Sequence, residues 1–306
     1  MPTPAHGNFS GRRLVVFGAG YVGGFVARKA REHGATVTAV TRNQKAVAAM
    51  LADGIHAIEA DLVDGAWEGA IAPRPDFVLY SASPGGAGME NYVRSYRLGL
   101  ERVTQWLRDF GSASTFVYTS STSVYPQDQH ALVDEQAPTS AAGEDRPGIL
   151  VHAEVTARAA TMAYRRAFIL RLAGIYGPQR HALLDAVKSG VVSGRPQDWL
   201  NLIHRDDIAD AVLRCFAAPV AIASQTLNLS DGSPATRDEI VRWVAGRLGL
   251  ALPKFTGVPR SSRRTAPLDR VIVSTQAREV LGWAPRFGSF REGYEPLLEE
   301  ISMSVL

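Results

Sequence analysis

The chain has 306 residues, of which 46% are hydrophobic and 21% are charged, a composition typical of a globular protein with a full hydrophobic core. This length suits one large domain, or a main domain with a smaller appended one. The formal net charge of +3, from 33 basic and 30 acidic residues, is too small an excess to indicate a nucleic-acid partner. No run of 18 apolar residues occurs, and the polar N-terminal segment lacks the apolar stretch of a secretory signal, so we predict neither a membrane span nor a leader.

The single cysteine and the densest arginine cluster bear on the cellular compartment and on possible ligands. The single cysteine, Cys215, excludes an intrachain disulfide and is typical of a reducing cytosol, so we expect a cytoplasmic protein. It lies in an amphipathic helical pattern, which favours a buried structural thiol over a nucleophile. The densest basic cluster comprises Arg260, Arg263 and Arg264. It is interpreted as a solvated loop or, alternatively, as a contact for a phosphate-bearing ligand.

Apolar runs alternate with helical patterns in the first part of the chain, which is the signature of βαβ units and a parallel sheet. We predict an α/β fold: a Rossmann-type parallel sheet flanked by helices, with a small C-terminal α+β cap. Residues 1–178 are predicted to form the dinucleotide-binding domain, with about 204–230 returning to it, and residues 179–203 and 231–306 the substrate or cap region. The predicted strands are 14–17, 36–40, 56–60, 77–82, 115–119, 168–172 and 225–229, and the predicted helices are 21–33, 44–52, 89–110, 149–165, 183–189, 205–216 and 237–248.

A glycine-rich turn follows the first predicted strand and opens the first predicted helix. It reads Gly18-Ala-Gly20-Tyr-Val-Gly23, and its place between a strand and a helix makes this short motif a specific signal. The first glycine permits a tight turn, the second lets the backbone approach a pyrophosphate, and the third allows close packing of helix on strand. The helix N-terminus adds N–H groups and a partial positive charge. We therefore predict a nicotinamide-dinucleotide site formed by Gly18, Gly20, Tyr21, Val22 and Gly23.

The residues that follow the second strand bear on which dinucleotide is bound. An NAD site has a carboxylate here that accepts hydrogen bonds from the ribose hydroxyls and would repel a 2′-phosphate. The chain instead reads Thr41-Arg42-Asn43, and Arg42 can pair with a 2′-phosphate. We predict NADP(H) over NAD(H), while a merely solvated Arg42, and with it NAD, stays an open alternative.

Further cofactor contacts are predicted at the ends of later strands. Asp61 ends the third strand, where its carboxylate could hold the adenine amino group and Leu62 could cover the ring. The alternative interpretation of Asp61 is a turn former. The remaining predicted contacts are Ser81, Ala82, Ser83 and Thr119. No metal-ligand cluster, nucleophile elbow or Walker-type loop competes with this site.

Motifs along nearly the whole chain carry a family resemblance. Besides the glycine motif and Asp61-Leu62, they are FVYTSSTSVY at 116–125, LRLAGIYGP at 170–178, IHRDDI at 203–208, LGWAP at 281–285 and REGY at 291–294. This set resembles the extended short-chain dehydrogenase/reductases, the family of UDP-galactose 4-epimerase and related nucleotide-sugar enzymes. The resemblance implies an NAD(P)-binding oxidoreductase or epimerase-like protein that acts on a small polar or sugar-like substrate through hydride transfer.

The chain departs from this family at the catalytic pair. Family members carry Ser or Thr after the fifth strand, matched by Ser121, and then Tyr and Lys four residues apart on the next helix. Glu154 resembles the acid four residues past the family's lysine, which puts Leu150 at the lysine position and Arg146 at the tyrosine position. Leucine cannot be a cation, and arginine, whose guanidinium stays protonated at neutral pH, is a poor proton shuttle.

The remaining candidates leave two functions open. Ser121 could hydrogen-bond a substrate carbonyl or cap its own turn, Tyr176 could border the nicotinamide as a proton donor or as an aromatic wall, and Arg146 occupies the tyrosine position. Tyr96 is a second departure, because it stands where the family has an asparagine. The chain is either an atypical oxidoreductase or epimerase, or a catalytically silent NADP(H)-binding sensor or regulatory protein. The helices predicted at 89–110 and 149–165 resemble the pair that family members use for dimer contacts, so we expect a homodimer.

Overall fold

The computed structural model describes residues 7–86, 88–258 and 268–303. The basic cluster at Arg260, Arg263 and Arg264 lies outside these residues. In the described part of the chain, no helix is both long and apolar enough to span a membrane. The strands are β1 (Arg13–Phe17), β2 (Thr36–Thr41), β3 (His56–Glu59), β4 (Phe77–Tyr80), β5 (Ala113–Ser121), β6 (Ala131–Val133), β7 (Tyr164–Leu172), β8 (Gly174–Tyr176), β9 (Val191–Val192), β10 (Trp199–Leu200), β11 (Leu202–His204), β12 (Gln225–Leu229), β13 (Ala235–Thr236), β14 (Lys254–Phe255) and β15 (Arg270–Ile272).

Helices connect these strands and cover the main sheet. The predicted helix 89–110 is divided by one π-helical segment, Arg94–Leu98, and short 3₁₀ turns occur at Glu68–Ala70 and Thr122–Val124. The α-helices are α1 (Tyr21–Glu32), α2 (Gln44–Ala52), α3 (Met89–Val93), α4 (Gly99–Phe110), α5 (Arg146–Ala159), α6 (Ala182–Ser189), α7 (Arg205–Ala217), α8 (Arg237–Leu248), α9 (Thr275–Leu281) and α10 (Phe290–Met303).

Seven strands form one parallel sheet with the order β12-β7-β5-β4-β1-β2-β3. From β1 the chain moves outward through β2 to β3, and it then returns to β4 on the other side of β1. This reversal leaves a crevice at the carboxyl ends of β1 and β4, which is where ligands bind in open α/β sheets. The predicted α/β fold with a Rossmann-type parallel sheet is therefore confirmed.

Alternating side chains of β1 enter the two hydrophobic layers of this domain. Leu14 and Val16 pack in the layer that contains residues of α1 and α7, whereas Val15 and Phe17 pack in the layer that contains residues of α4 and α5. All four side chains are buried because helices cover both faces of the sheet. A third cluster joins α6, α8 and α10 around Leu184, Val244, Leu297 and their neighbours.

The start of α5 differs from the sequence-based expectation. The sequence predicts this helix over 149–165, whereas the structure has Arg146–Ala159, followed by β7 from Tyr164. The side chain of Asp145 accepts a hydrogen bond from the Gly148 amide and caps the helix, and Pro147 lies in its first turn. Proline is tolerated there because the first helical amides have no partner within the helix. The Pro-Gly pair therefore belongs to the helix rather than to the preceding loop.

A buried ion pair fastens α5 to β7. Glu154 and Arg171 are 1% and 4% exposed, and they are joined by three hydrogen bonds of 3.0, 3.3 and 2.7 Å. Ser120 donates a further hydrogen bond of 2.7 Å to the Glu154 carboxylate. Arg171 donates to the Tyr125 hydroxyl at 2.7 Å, and this hydroxyl donates to the side chain of Asn228 at 2.8 Å. The network therefore joins α5 to β5, β7 and β12 near the C-terminal ends of these strands.

We expect Glu154→Gln to destabilise the fold, because it removes the only negative charge that contacts the buried Arg171 guanidinium among the described ion pairs. Breaking one side of a buried ion pair costs roughly 3–5 kcal/mol. Urea denaturation at neutral pH measures this loss. The control is Glu101→Gln, an exposed carboxylate 3.6 Å from His152, which should change the free energy of unfolding by less than about 0.5 kcal/mol. Equal stabilities for the two variants would contradict the assigned importance of the pair.

Candidate dinucleotide and substrate site

The three glycines of the first turn occupy different steric environments. Gly18 has a φ of +89°, and a Cβ added there would overlap the backbone of Ala82. A Cβ added at Gly23 would overlap the carbonyl oxygen of Gly18, so the helix packs directly on the turn. At Gly20 a Cβ would meet nothing within 4 Å. Two glycines are therefore needed for packing within the chain, whereas the surface at Gly20 is open to a ligand.

The N-terminus of α1 lies at this open surface without a side-chain cap. Gly20 is the N-cap and has no side chain to accept from the first-turn amides, and no acidic residue lies in that turn. The amides of Tyr21, Val22 and Gly23 are the first of the helix, and such groups bind phosphate oxygens well. The Tyr21 hydroxyl donates to the Pro178 carbonyl at 3.0 Å, which ties the turn to the loop after β8.

At the end of β2, Arg42 lies beside the carboxylate of Asp61. The Arg42 Nη1 atom is 3.2 Å from Asp61 Oδ2, and Arg94 Nε is 3.0 Å from the same oxygen. Burial opposes ionisation of Asp61, but hydrogen bonds from Val63 and Arg94 and the charges of both arginines outweigh it, so the pKa of this carboxyl lies below its ordinary value. The carboxylate is thus ionised at neutral pH and forms ion pairs with two guanidinium groups.

The other residues at the ends of β2 and β3 have local structural contacts. Thr41 Oγ1 accepts from the Asn43 amide, and Asn43 Oδ1 accepts from the Ala46 amide as the N-cap of α2. Leu62 is buried in the layer that contains α4, and its backbone carbonyl accepts from the Trp67 indole. The side chains of Thr41 and Asn43 therefore order the turn from which Arg42 projects.

The ends of β4 and β5 form the opposite wall of the crevice. The Ser81 amide donates to the Phe17 carbonyl at 2.8 Å, which continues the sheet pairing one residue beyond β4. Thr119 Oγ1 donates to Ser81 Oγ at 3.1 Å, and Ala82 closes against Gly18. Ser83, the next residue, is exposed. These predicted cofactor contacts are thus brought together around one turn.

Ser121, the last residue of β5, caps the following 3₁₀ turn. Its Oγ accepts from the Ser123 amide at 3.2 Å and from Ser123 Oγ at 3.0 Å. A hydroxyl oxygen that accepts two hydrogen bonds still has its own proton to donate. The capping role therefore does not compete with a hydrogen bond from Ser121 to a substrate oxygen.

The two positions that the sequence predicts to correspond to the family's Tyr and Lys lie in different environments. Arg146 opens α5, with its guanidinium carbon 5.5 Å from the centroid of the Tyr92 ring. Leu150, one turn further, is 1% exposed and packs among apolar residues that include Val124 and Ile272. Position 150 is therefore part of the hydrophobic core rather than of a polar crevice.

Tyr176 faces the packing between β8 and α10. Its ring stacks on Tyr294 at 5.1 Å, its hydroxyl lies directly against Gly293 and 3.5 Å from the Ser289 carbonyl, and 3% of the residue is exposed. Burial raises the pKa of this phenol well above its ordinary value, with nearby Asp231 acting in the same direction. These contacts are those of an interior aromatic side chain. They give no support to the alternative of a proton donor at the crevice.

Arg94 was missed by the sequence-based interpretation, and the surroundings of Tyr96, noted there only as a departure from the family, become visible in the structure. Arg94 begins the π-helical segment and reaches Asp61, and Tyr96, in the same segment, packs against Tyr92 with ring centroids 4.8 Å apart. A helix with the regular 3.6-residue period would direct these side chains differently, because a π segment shifts the register by about one residue per turn. No signal in the sequence marks that shift.

Comparisons with known proteins were made by sequence and by structure. Residues 14–230, well over half of the chain, match the model of the NAD-dependent epimerase/dehydratase family. No curated protein matches by sequence.

Solved structures share the fold at low sequence identity. MoeE5, solved with UDP-glucose and NAD, superposes with a TM-score of 0.81 and 22% identity, covering 96% of this chain and 100% of its own. The UDP-glucose 4-epimerase of Thermotoga maritima superposes with a TM-score of 0.78 and 19% identity, and the match covers 96% of this chain and 100% of the epimerase. A functionally unknown conserved protein from Silicibacter pomeroyi superposes with a TM-score of 0.70 and 23% identity, and the match covers 95% of this chain and 99% of that protein. By the family match, and with the glycine turn and parallel sheet in place, this chain belongs to the NAD-dependent epimerase/dehydratase family.

Proposed function

We propose that the protein binds a nicotinamide dinucleotide, with NADP(H) preferred, and transfers hydride to or from a small polar or sugar-like substrate. The observation that carries this proposal is the open surface at Gly20, above the uncapped N-terminus of α1. An anionic pyrophosphate suits this surface, because among the described residues nothing lies within 4 Å of a Cβ added at Gly20 and the first turn of the helix has no acidic residue. Gly18 and Gly23 maintain the turn by close packing.

The preference for NADP(H) rests on Arg42. Its side chain is 39% exposed at the end of β2, where an NAD site has a carboxylate. MoeE5 and other solved neighbours were determined with NAD, and the choice of NADP(H) for this chain follows from its own residues. Asp61 and Leu62 remain the proposed adenine contacts, and the ends of β4 and β5 the proposed contacts near the nicotinamide.

The bound cofactor would supply or accept the hydride, and the chain's own residues position the substrate and its proton. The Ser121 hydroxyl donates a hydrogen bond to the substrate oxygen, because it only accepts in both of its hydrogen bonds with Ser123. Arg146, at the start of α5, contributes positive charge beside Tyr92. Among the proposed catalytic residues, Ser121 thus has the best-supported role, and Tyr176 the least.

One observation favours the alternative of a silent NADP(H)-binding sensor. Leu150 fills the position of the family's lysine with a side chain buried in an apolar cluster, so nothing there can bind a ribose hydroxyl or lower the pKa of a neighbouring phenol. A sensor would bind NADPH and convert none of a broad panel of carbonyls and alcohols, including UDP-sugars. An oxidoreductase or epimerase would consume at least one of them with a matching change in NADPH absorbance or product stereochemistry.

We also propose a cytoplasmic homodimer. The helices that family members use for dimer contacts correspond here to residues 89–110 and to α5; Leu98, in the π-helical segment, and Val155, in α5, are exposed. Their exposed fractions are 41% and 52%, and pairing with a second copy would remove this apolar surface from water. The buried thiol of Cys215, the only cysteine, is compatible with a reducing compartment.

Replacing Arg42 by Asp should reverse the cofactor preference, because a carboxylate there accepts ribose hydroxyls and repels a 2′-phosphate. Hydrogen bonds to charged groups contribute about 1.5–3 kcal/mol, so NADPH affinity should fall roughly 10- to 100-fold in calorimetry. The control is Arg28→Asp, which makes the same charge change in an arginine of α1 that pairs with Asp53. Equal wild-type affinities for NADPH and NADH, or an unchanged order in Arg42→Asp, would defeat the assignment.

Turnover of UDP-sugars should be slow, because no phenol with a lysine beside it completes the proton relay. General acid–base assistance is worth roughly 10²–10⁴-fold, so steady-state rates should be lower than those of complete relatives by about that factor. For the same reason, Ser121→Ala should cost less in kcat than it does where a tyrosine is present. Robust wild-type turnover, with a pH profile governed by one tyrosine-like group, would show that the proton donor has been misassigned.

Light scattering at micromolar concentration should report the mass of two chains. Val155→Glu would place a charge on the exposed apolar face of α5 and should shift the protein toward the monomer. Val220→Glu, at a residue 94% exposed just after α7, is the control and should leave the mass unchanged. A wild-type monomer would exclude the proposed assembly.

A further inference from the structure

The carboxylate of Asp61 lies between two arginines from distant parts of the chain. Arg42 projects from the end of β2, and Arg94 from the π-helical segment, and both contact Asp61 Oδ2. We propose that Arg94 is a specificity-determining residue for the dinucleotide: it neutralises Asp61 and thereby leaves the charge of Arg42 for a 2′-phosphate. This inference rests on the proposed NADP(H) site and adds a residue to it.

The charge balance at Asp61 explains why a second arginine is needed. With Arg42 alone, the ion pair with Asp61 has no net charge, and a 2′-phosphate would have to approach a carboxylate of the same sign. With Arg94 added, the group of Arg42, Asp61 and Arg94 carries one net positive charge. Asp64 also contacts Arg94, at 2.7 Å, but 61% of its side chain is exposed, so solvent screens its charge more than that of Asp61, which is 17% exposed.

The geometry assigns different roles to the two arginines. Arg94 is held by two carboxylates, through Nε to Asp61 at 3.0 Å and through Nη2 to Asp64 at 2.7 Å. Arg42 has one described carboxylate contact, at 3.2 Å, and its other terminal nitrogen lies against Gly85, where an added Cβ would approach it to 2.6 Å. Arg94 is therefore the fixed partner of Asp61, whereas Arg42, which is 39% exposed and lies beside Gly85, can turn its guanidinium toward a phosphate.

The variant Arg94→Gln, which removes the positive charge of this side chain, tests the role in direct binding measurements. We measure the dissociation constants of NADPH and NADH by calorimetry on the full chain, and use 2′-AMP and 5′-AMP as cofactor fragments that need no turnover. NADPH and 2′-AMP should bind roughly tenfold more weakly to Arg94→Gln, with NADH and 5′-AMP little changed. The control is Arg102→Gln on α4, whose arginine pairs with Glu68 and makes no described contact with Asp61; it should leave all four constants unchanged.

A rescue variant separates neutralisation of Asp61 from direct phosphate contact. If Arg94 acts by cancelling the charge of Asp61, the double variant Asp61→Asn/Arg94→Gln should regain the wild-type ratio of NADH to NADPH dissociation constants. The ratio is the appropriate readout, because both dinucleotides carry the same adenine and a weaker hydrogen bond to it at position 61 affects them equally. Failure of the double variant to regain the ratio would overturn the proposal, as would an equal loss of NADH and NADPH affinity in Arg94→Gln.

The same measurements distinguish this inference from the proposed function. A wild-type protein that binds neither dinucleotide would refute the proposed function itself. One that binds both equally would refute the NADP(H) preference and the role of Arg94 together. A wild type that prefers NADPH, with the preference unchanged in Arg94→Gln, would refute the inference alone.

Discussion

The buried ion pair between Glu154 and Arg171 is the interaction on which the arrangement of the site depends. It joins α5 to β7, and through Ser120, Tyr125 and Asn228 it extends to the ends of β5 and β12. Buried charges are tolerated only when their hydrogen bonds are complete, so this network accepts few alternative arrangements of those elements. It fixes where α5 begins relative to the end of β5, and hence where Arg146 and Ser121 lie.

The close contacts of the glycine turn impose a second constraint on the other half of the crevice. Gly18 touches the backbone at Ala82, and Gly23 touches Gly18, so β1, β4 and α1 meet without intervening side chains. This leaves the surface at Gly20 as the place where another group can approach the helix N-terminus. The parallel sheet order, which reverses between β1 and β4, puts that surface at the switch point of the fold.

Polar chemistry is distributed unevenly between the two ends of the crevice. At the ends of β2 and β3, charged side chains are in contact, namely Arg42, Asp61 and Arg94, whereas the buried Leu150 stands where the sequence predicts the position of the family's lysine. The proposed dinucleotide site thus has charged residues at its predicted adenine contacts and an apolar residue at the predicted lysine position. This contrast is why cofactor binding is the better supported part of the proposed function, and why a sensor remains the competing one.

The sequence by itself determined the fold class, most of the strands, and the residues of the glycine turn, because hydrophobic period and glycine placement are local properties. It also determined which residue types stand at positions 146 and 150. Only the tertiary structure decided the contacts of Asp61, because Arg94 is 33 residues away in the chain. The Arg94 side chain reaches the carboxylate from a π-helical segment, which no local sequence pattern predicts. Likewise, the interior position of the Tyr176 hydroxyl depends on Gly293 and Tyr294, more than a hundred residues later. Contacts of this kind depend on how distant elements pack, and the residue types of one segment do not encode them.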